Sequence, residues 1–284
     1  MRLLICTALI AFYAATLPTQ AEPPADQRPT PEATGATGEL PLPLTHYKGR
    51  EIATTMHYLG AGWLTRESRQ REEDCSTMLA ALEIKPGQVV CDLGCGNGFY
   101  TLKLAELVGP TGRVLAVDIQ QEMLHLLDER AKKAGLENVE PILGSPVDAG
   151  LPKAAVDLLL LVDVYHEFAY PEEMLASIRT ALKPSGRLAL VEFRLEDPKV
   201  PIKLVHKMSK EQILKEIPPA GFRLASQFDR LPWQHLMFFV RDDAPREAGG
   251  TPAARSVGLP QGDPDSAILT PCTPETHQNR FKTP

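Results

Sequence analysis

Three glycines at alternate positions, Gly94, Gly96 and Gly98, follow the apolar run Val89–Leu93 and precede the helical pattern of Tyr100–Val108. That order of strand, glycine loop and helix restricts this chain more than any other feature. Glycine lets a backbone turn sharply and approach a ligand closely, and the helix that follows presents N–H groups without partners. Such a loop works at the edge of a sheet, so the flanking sequence should supply one.

The alternation continues on both sides. Upstream, Arg71–Leu82 has an acidic start, Glu72-Glu73-Asp74, then Met78, Leu79 and Leu82 at helical spacing. Downstream, Val114–Ile119 predicts a second strand and Glu122–Lys133 a helix closed by Gly135. Val139–Leu143 and the apolar run Val156–Val164 predict two more strands. A helix opens at Pro171 and runs to Leu182, and Lys183–Gly186 turns into a strand at Arg187–Phe193. Near-continuous apolar strands alternating with helices indicate a parallel sheet covered on both faces.

The last third departs from this rhythm. Ser209–Ile217 predicts a short helix with a capping pair, Ser209 and Gln212. Phe222–Phe228 and Leu236–Arg241 predict two strands, and the connection between them is too short for a crossover, which makes them antiparallel. The expected fold class is α/β: a Rossmann-like seven-stranded sheet, mostly parallel, with a C-terminal antiparallel hairpin and helices on both faces.

Proline concentrates between Pro18 and Pro43 and again from Pro245 to Pro284, with few aromatics in either stretch. Such segments bury too little apolar surface to offset ordering entropy, so residues 22–44 predict a disordered linker and 243–284 a disordered tail. The folded domain is expected at 45–242, with 45–70 as an N-terminal lid segment rich in His46, Tyr47, His57, Tyr58 and Trp63. Residues 1–21 read as a signal peptide: Arg2, the apolar run Leu3–Leu17, then small residues before a cut after Ala21. Export to the periplasm or medium is the expectation. A cytoplasmic or membrane-tethered protein is the alternative, with membrane association only through an uncleaved N-terminus.

The formal net charge is −6 and no basic stripe is present, so nucleic acid is not an expected partner. The cysteines include no CxxC pair, and Cys91 and Cys95 fall in a buried strand and the glycine loop, so buried free thiols are expected and no metal site.

The loop's neighbours narrow its ligand. Asp118 closes the next strand, where a carboxylate suits the two hydroxyls of a ribose. A dinucleotide fingerprint requires a small residue just after Gly98, and Phe99 stands there instead. Asp92, immediately before the loop, repels a pyrophosphate and favours a cationic ligand; its alternative role is a structural acid at the turn.

The segments VVCDLGCGNGFYTLKLA, VLAVDI, VDLLLLVDVYHEF and LKPSGRLALVEF resemble the consecutive motifs of class I S-adenosylmethionine-dependent methyltransferases. The resemblance is strongest to the small-molecule branch that includes ubiquinone/menaquinone-type enzymes, and it covers about Arg71 to Arg241. It implies S-adenosyl-L-methionine as cofactor, with Gly94, Gly96 and Gly98 around the methionine end, Asp118 on the ribose and Ile119 against the adenine. The family's acidic adenine contact after the third strand is displaced here, where Ser145 holds the usual place and Asp148 is the nearest acid. Asp163 is a candidate for the cofactor's ammonium group.

Asp163-Val164-Tyr165-His166-Glu167 lies past the fourth strand, at the carboxyl edge where ligands bind in open α/β sheets. His166 is the candidate base for an acceptor that must lose a proton, and a structural histidine is its alternative. Glu167 reads as structural or solvated, and His206, Met208, Trp233 and His235 as a second candidate wall. The expected function is methyl transfer to a small-molecule acceptor. The competing readings are an NAD-type Rossmann oxidoreductase, against which Phe99 and Asp92 argue, and a catalytically silent cofactor-binding protein.

Overall fold

The strands of the main sheet are β1 (Val89–Leu93), β2 (Arg113–Asp118), β3 (Val139–Leu143), β4 (Val156–Val162), β5 (Leu182–Arg194), β6 (Phe222–Phe228) and β7 (Gln234–Arg241). In the computed structural model they lie in the order β3-β2-β1-β4-β5-β7-β6. The first five run parallel, while β7 pairs antiparallel with both β5 and β6. Lys207–Met208 adds a short parallel rung to the end of β5. The structure describes residues 40–245, of which those from Pro43 form one unit. The expected signal peptide, most of the expected 22–44 linker and the chain beyond Pro245 lie outside the described residues.

The apolar strands sort their side chains by alternation. Val90, Val114, Leu158, Leu160, Ala189 and Val191 face one side, against α2 (Cys75–Ala81) and α3 (Phe99–Val108). Cys91, Leu115, Leu159, Leu161, Leu188 and Leu190 face the other, against α5 (Pro171–Ala181) and α6 (Lys210–Glu216). Leu124 and Leu127 of α4 (Gln121–Lys133) pack with Cys95 and Ala116 beside the glycine loop. Both faces are therefore dry, which explains why the strands read as continuous apolar runs.

Several boundaries differ from expectation: the turn expected at Lys183–Gly186 lies within β5, and β7 starts two residues early at Gln234. The helix expected over Arg71–Leu82 is two: α1 (Arg69–Glu73) stops at Asp74, whose backbone turns left-handed at φ +49°, and α2 starts there. The Asp74 carboxylate accepts the Thr77 N–H, so this acid caps the second helix rather than opening a single long one. The fourth strand ends at Val162, two residues early, because Asp163 adopts φ +56° and redirects the chain into a 3-10 turn at Tyr165–Glu167. The Ser209 cap is present, with Ser209 Oγ accepting the Gln212 N–H. Cys75, Cys91 and Cys95 are buried free thiols; Cys272 lies outside the described residues. No helix among the described residues is long and apolar enough to cross a membrane.

Candidate active site

The strand order reverses direction between β1 and β4. The chain leaves β1 toward α3 on one face and leaves β4 toward α5 on the other, opening a crevice between them. Crevices of this kind, beyond the carboxyl ends of the strands, hold the ligands of open α/β sheets. A cavity of about 770 Å³ occupies it, lined by loop residues from the ends of β1 to β5 and by the segment ahead of β1.

The glycine loop forms its floor. Gly94 and Cys95 donate their N–H groups to the Val117 carbonyl at 2.8 and 2.9 Å, tying the loop to β2. Gly94 adopts φ +75°, and a Cβ added there meets the Val164 methyls at 2.5 and 2.7 Å, so only glycine fits. Gly96 lines the cavity too, whereas Gly98 sits behind it as the left-handed cap of α3.

Asp118 ends β2 at the cavity wall. Its Oδ2 accepts the Gly96 N–H and its Oδ1 the Gln120 N–H, both at 2.9 Å. Each oxygen keeps a lone pair for one more donor. Burial raises its pKa, opposed by those backbone donors. Ile119 follows on the same wall with 42% of its surface exposed, an apolar side chain open to the cavity.

Asp92 does not line the cavity. It is buried behind Leu93 with its Oδ2 accepting the Thr101 hydroxyl at 2.6 Å, and burial pushes its pKa up to about 6. Asp148 is not brought to the cavity either. Its carboxylate accepts from Ser177 and from the Gly150 N–H on the outer surface, and Ser145 and Pro146 take the cavity wall instead.

Asp163 is half-buried on the cavity wall at the far side of the loop. Gln234 Nε2 donates to its Oδ2 at 2.7 Å, while Oδ1 is buried without a hydrogen bond. Burial drives its pKa well above the usual carboxylate range, and the nearby Glu73 and Glu192 add to that. Arg69, also on the cavity wall, is committed to Glu73 at 2.8 Å and to the Leu64 carbonyl.

His166 stands just beyond. Its Nδ1 lies 2.7 Å from Glu192 Oε2, its backbone N–H also donates to Glu192, and its Nε2 lies 3.1 Å from His206 Nδ1. Burial opposes the charged imidazole, but Glu192 overrides it and the His166 pKa is raised. Glu167, expected to be structural or solvated, lines the cavity; burial lifts its pKa to about 7. Arg50 holds this turn from outside, donating to the His166 carbonyl and pairing with Glu216.

The segment 45–70 closes the near side. Thr54, Thr55, Met56, Trp63, Leu64 and Arg66 contribute to the wall. Gln120 fastens it by donating to the Met56 carbonyl and accepting the Tyr58 N–H, and Asn97 Nδ2 donates to the Ala61 carbonyl. Tyr58 and His57 are not among the lining residues. Of the second candidate wall, His206 reaches the cavity while Met208, Trp233 and His235 do not.

Sequence reading missed Glu192, Glu73 and Gln234. The available signal for Glu192 was an acid inside the otherwise apolar run Leu188–Phe193, which is rarely accommodated without a partner.

A model of the methyltransferase-domain family matches residues 84–234 of the 284. An uncharacterised protein of a Streptomyces fradiae transposon is 38% identical over 117 residues, 41% of this chain and 33% of that protein. The ubiquinone/menaquinone biosynthesis C-methyltransferase of Ectopseudomonas mendocina is 32% identical over 39% of this chain and 43% of its own length. The chain thus spans half or less of the length of these curated relatives. A solved S-adenosylmethionine-dependent methyltransferase of Aquifex aeolicus superposes with a TM-score of 0.63 at 26% identity, covering 66% of this chain and all of that one.

The residues present fit S-adenosylmethionine. Its ribose needs a carboxylate with free lone pairs, as at Asp118, and its methionine ammonium needs an acceptor, as at the unpaired Oδ1 of Asp163. Its adenine needs an apolar wall, as at Ile119. Match, fold and fit agree: this chain belongs to the methyltransferase-domain family, within the class I S-adenosylmethionine-dependent group.

Proposed function

We propose that this protein transfers a methyl group from S-adenosylmethionine to a small-molecule acceptor. The observation that carries the reading is the placement of two carboxylates, Asp118 and Asp163, on opposite sides of one glycine loop, the second with a buried unpaired oxygen. When bound, the cofactor supplies a methyl on a sulfonium, ready for in-line displacement by a nucleophile.

In this reading Gly94 and Gly96 allow close backbone approach to the methionine end. Asp118 accepts from the ribose hydroxyls, Ile119 packs on the adenine, and Asp163 Oδ1 accepts from the ammonium. Ser145 takes the adenine-side position in place of Asp148. Asp92 acts through the field: held by Thr101, it keeps negative potential behind a cationic ligand. The covering segment excludes water, which competes for the methyl.

The His166 corner receives the acceptor. Glu192 holds the imidazole proton on Nδ1 and orients Nε2 toward His206 and the cavity, an arrangement suited to taking a proton from the acceptor. A pyrophosphate has no comparable welcome, because Asp118 and Asp163 flank the space it needs. The relative named as a C-methyltransferase of ubiquinone/menaquinone biosynthesis favours a quinone-related acceptor. Release of S-adenosylhomocysteine in a panel of phenols, hydroquinones, thiols and amines tests the proposal. Turnover confined to one class supports it, and cofactor binding without turnover on any of them supports the silent-binder reading instead.

Export is a second proposal, resting on the pattern of residues 1–21. It requires a supply of cofactor outside the compartment that makes it. N-terminal sequencing of the mature protein decides: a start after Ala21 supports export, and an intact Met1 in the cytosolic fraction contradicts it.

A further inference from the structure

The acceptor corner contains a constellation that cofactor binding leaves unused. His166 Nε2, a Glu167 carboxylate oxygen and His206 Nδ1 all lie within 4.8 Å of one another, on the cavity wall. His166 Nε2 is 3.1 Å from His206 Nδ1 and 3.9 Å from Glu167 Oε1. The two imidazole rings stand at 85°, their centroids 5.2 Å apart.

The spacing suits an ion. Ligands at about 2.1 Å from a first-row cation stand roughly 3.0–3.4 Å apart when adjacent. The imidazole pair already has that separation; Glu167 needs a closure of about half an ångström toward His166 Nε2 and of up to about 1.4 Å toward His206 Nδ1, which lies within 4.8 Å. The surroundings suit one as well. Glu192 holds the far nitrogen of His166 at 2.7 Å with both side chains buried, which is the outer-shell contact that fixes a metal-bound histidine and raises its basicity. Glu167 has no closer ion-pair partner than the imidazole at 3.9 Å among the described residues.

We infer that His166 Nε2, Glu167 and His206 Nδ1 form a site for one divalent first-row cation at the acceptor end of the cavity. Two imidazoles with one carboxylate suit zinc, manganese or ferrous iron. Three protein ligands leave coordination positions for a small molecule. The inference deepens the methyltransferase reading in one respect: the acceptor class it selects bears an ionisable oxygen. With its Nε2 on the ion, His166 is a ligand and no longer the base of the metal-free reading: ligation holds that oxygen as the anion, and its proton passes to solvent water. No local motif marks the site, because His206 arrives from 40 residues beyond His166.

The test uses the full chain stripped with chelator, titrated with Zn²⁺ by calorimetry and with Co²⁺ by visible absorption, with and without S-adenosylhomocysteine. One ion per chain is expected, with a Co²⁺ spectrum unlike that of the aqueous ion. His206→Ala, half-exposed and tolerant of truncation, and Glu167→Gln should each weaken binding at least about tenfold. Glu192→Gln should weaken it by about 10- to 100-fold while leaving all three ligands in place. Homocysteine-analogue binding should persist in the His206 and Glu167 variants. Absence of ion binding, or stoichiometric binding that survives both ligand variants, overturns the site and leaves a plain imidazole–imidazole hydrogen bond. Loss of analogue binding by the wild-type chain counts against the methyltransferase reading instead, so the two failures are distinguishable.

Discussion

Gln234 Nε2 donates to Asp163 Oδ2 at 2.7 Å, joining the start of the last strand to the turn after β4 and leaving Asp163 Oδ1 without a partner. A buried carboxylate oxygen left bare is costly, and costs of this kind persist at binding sites where a ligand removes them. Asp163→Asn keeps an acceptor for Gln234 but loses the charge. It should weaken S-adenosylhomocysteine binding about 10- to 100-fold, as expected for a lost charge-assisted hydrogen bond. The ligand-free variant should melt at a higher temperature at neutral pH, because burial disfavours the ionised acid. Calorimetric titration and thermal denaturation check both, and unchanged affinity refutes the ammonium contact.

Asp92 gives a pH signature. Its ordinary value of 3.8 is pushed up to about 6 by burial, against the pull of Thr101 and Arg69. A raised carboxylate pKa favours the protonated fold, so this group's stabilising contribution is complete below about pH 4 and is lost as pH rises through about 6. The loss amounts to about 3 kcal/mol, at roughly 1.4 kcal/mol per unit. Asp92→Asn should remove that decline and be more stable than wild type by about 2 kcal/mol at pH 7.5, while differing little at pH 4. Denaturant unfolding at the two pH values measures this. A constant difference between the proteins at both would contradict the assignment.

Gly94→Ala should destabilise the protein and reduce cofactor binding together. Its left-handed φ of +75° costs an alanine about 1–2 kcal/mol, and the Val164 methyls at 2.5 and 2.7 Å add a clash. Adding Val164→Ala should recover the clash component and not the dihedral one. Unfolding midpoints of the single and double variants separate the two; no recovery in the double variant would show that Val164 is not the obstruction.

Trp63 stands at the rim, half-exposed, with the Arg66 guanidinium 3.8 Å above its ring. Trp233 lies outside the cavity wall. Cofactor analogue binding should therefore change the emission of wild type and Trp233→Phe, and leave Trp63→Phe nearly silent. A Trp63→Phe protein that responds as strongly as wild type would exclude this wall from the site.

What the residues disclosed in advance follows the range of the forces involved. The loop at Gly94, the acid at Asp118 and the antiparallel hairpin are local patterns with fixed geometric consequences, and each was legible. The break at Asp74 was not, because an acid within a helical pattern serves equally well in a first turn or as a cap, and only packing chooses between them. Asp148 was the nearest acid to the expected adenine position, but its carboxylate finds Ser177 and Gly150 on the surface. Glu192 stayed hidden, and His206 was read only as part of a second wall, for a different reason. Their roles come from contacts 26 and 40 residues away from His166 in the chain, and no single-sequence pattern encodes those meetings.

The central claim is that the glycine loop holds a sulfonium nucleoside rather than a dinucleotide. Calorimetric titration of the full chain with S-adenosylhomocysteine and, separately, with NAD tests it most directly. The account predicts one homocysteine-analogue site per chain with affinity in the micromolar range, weakened by Asp163→Asn, and no heat from NAD. Saturable NAD binding without any response to the homocysteine analogue would contradict it.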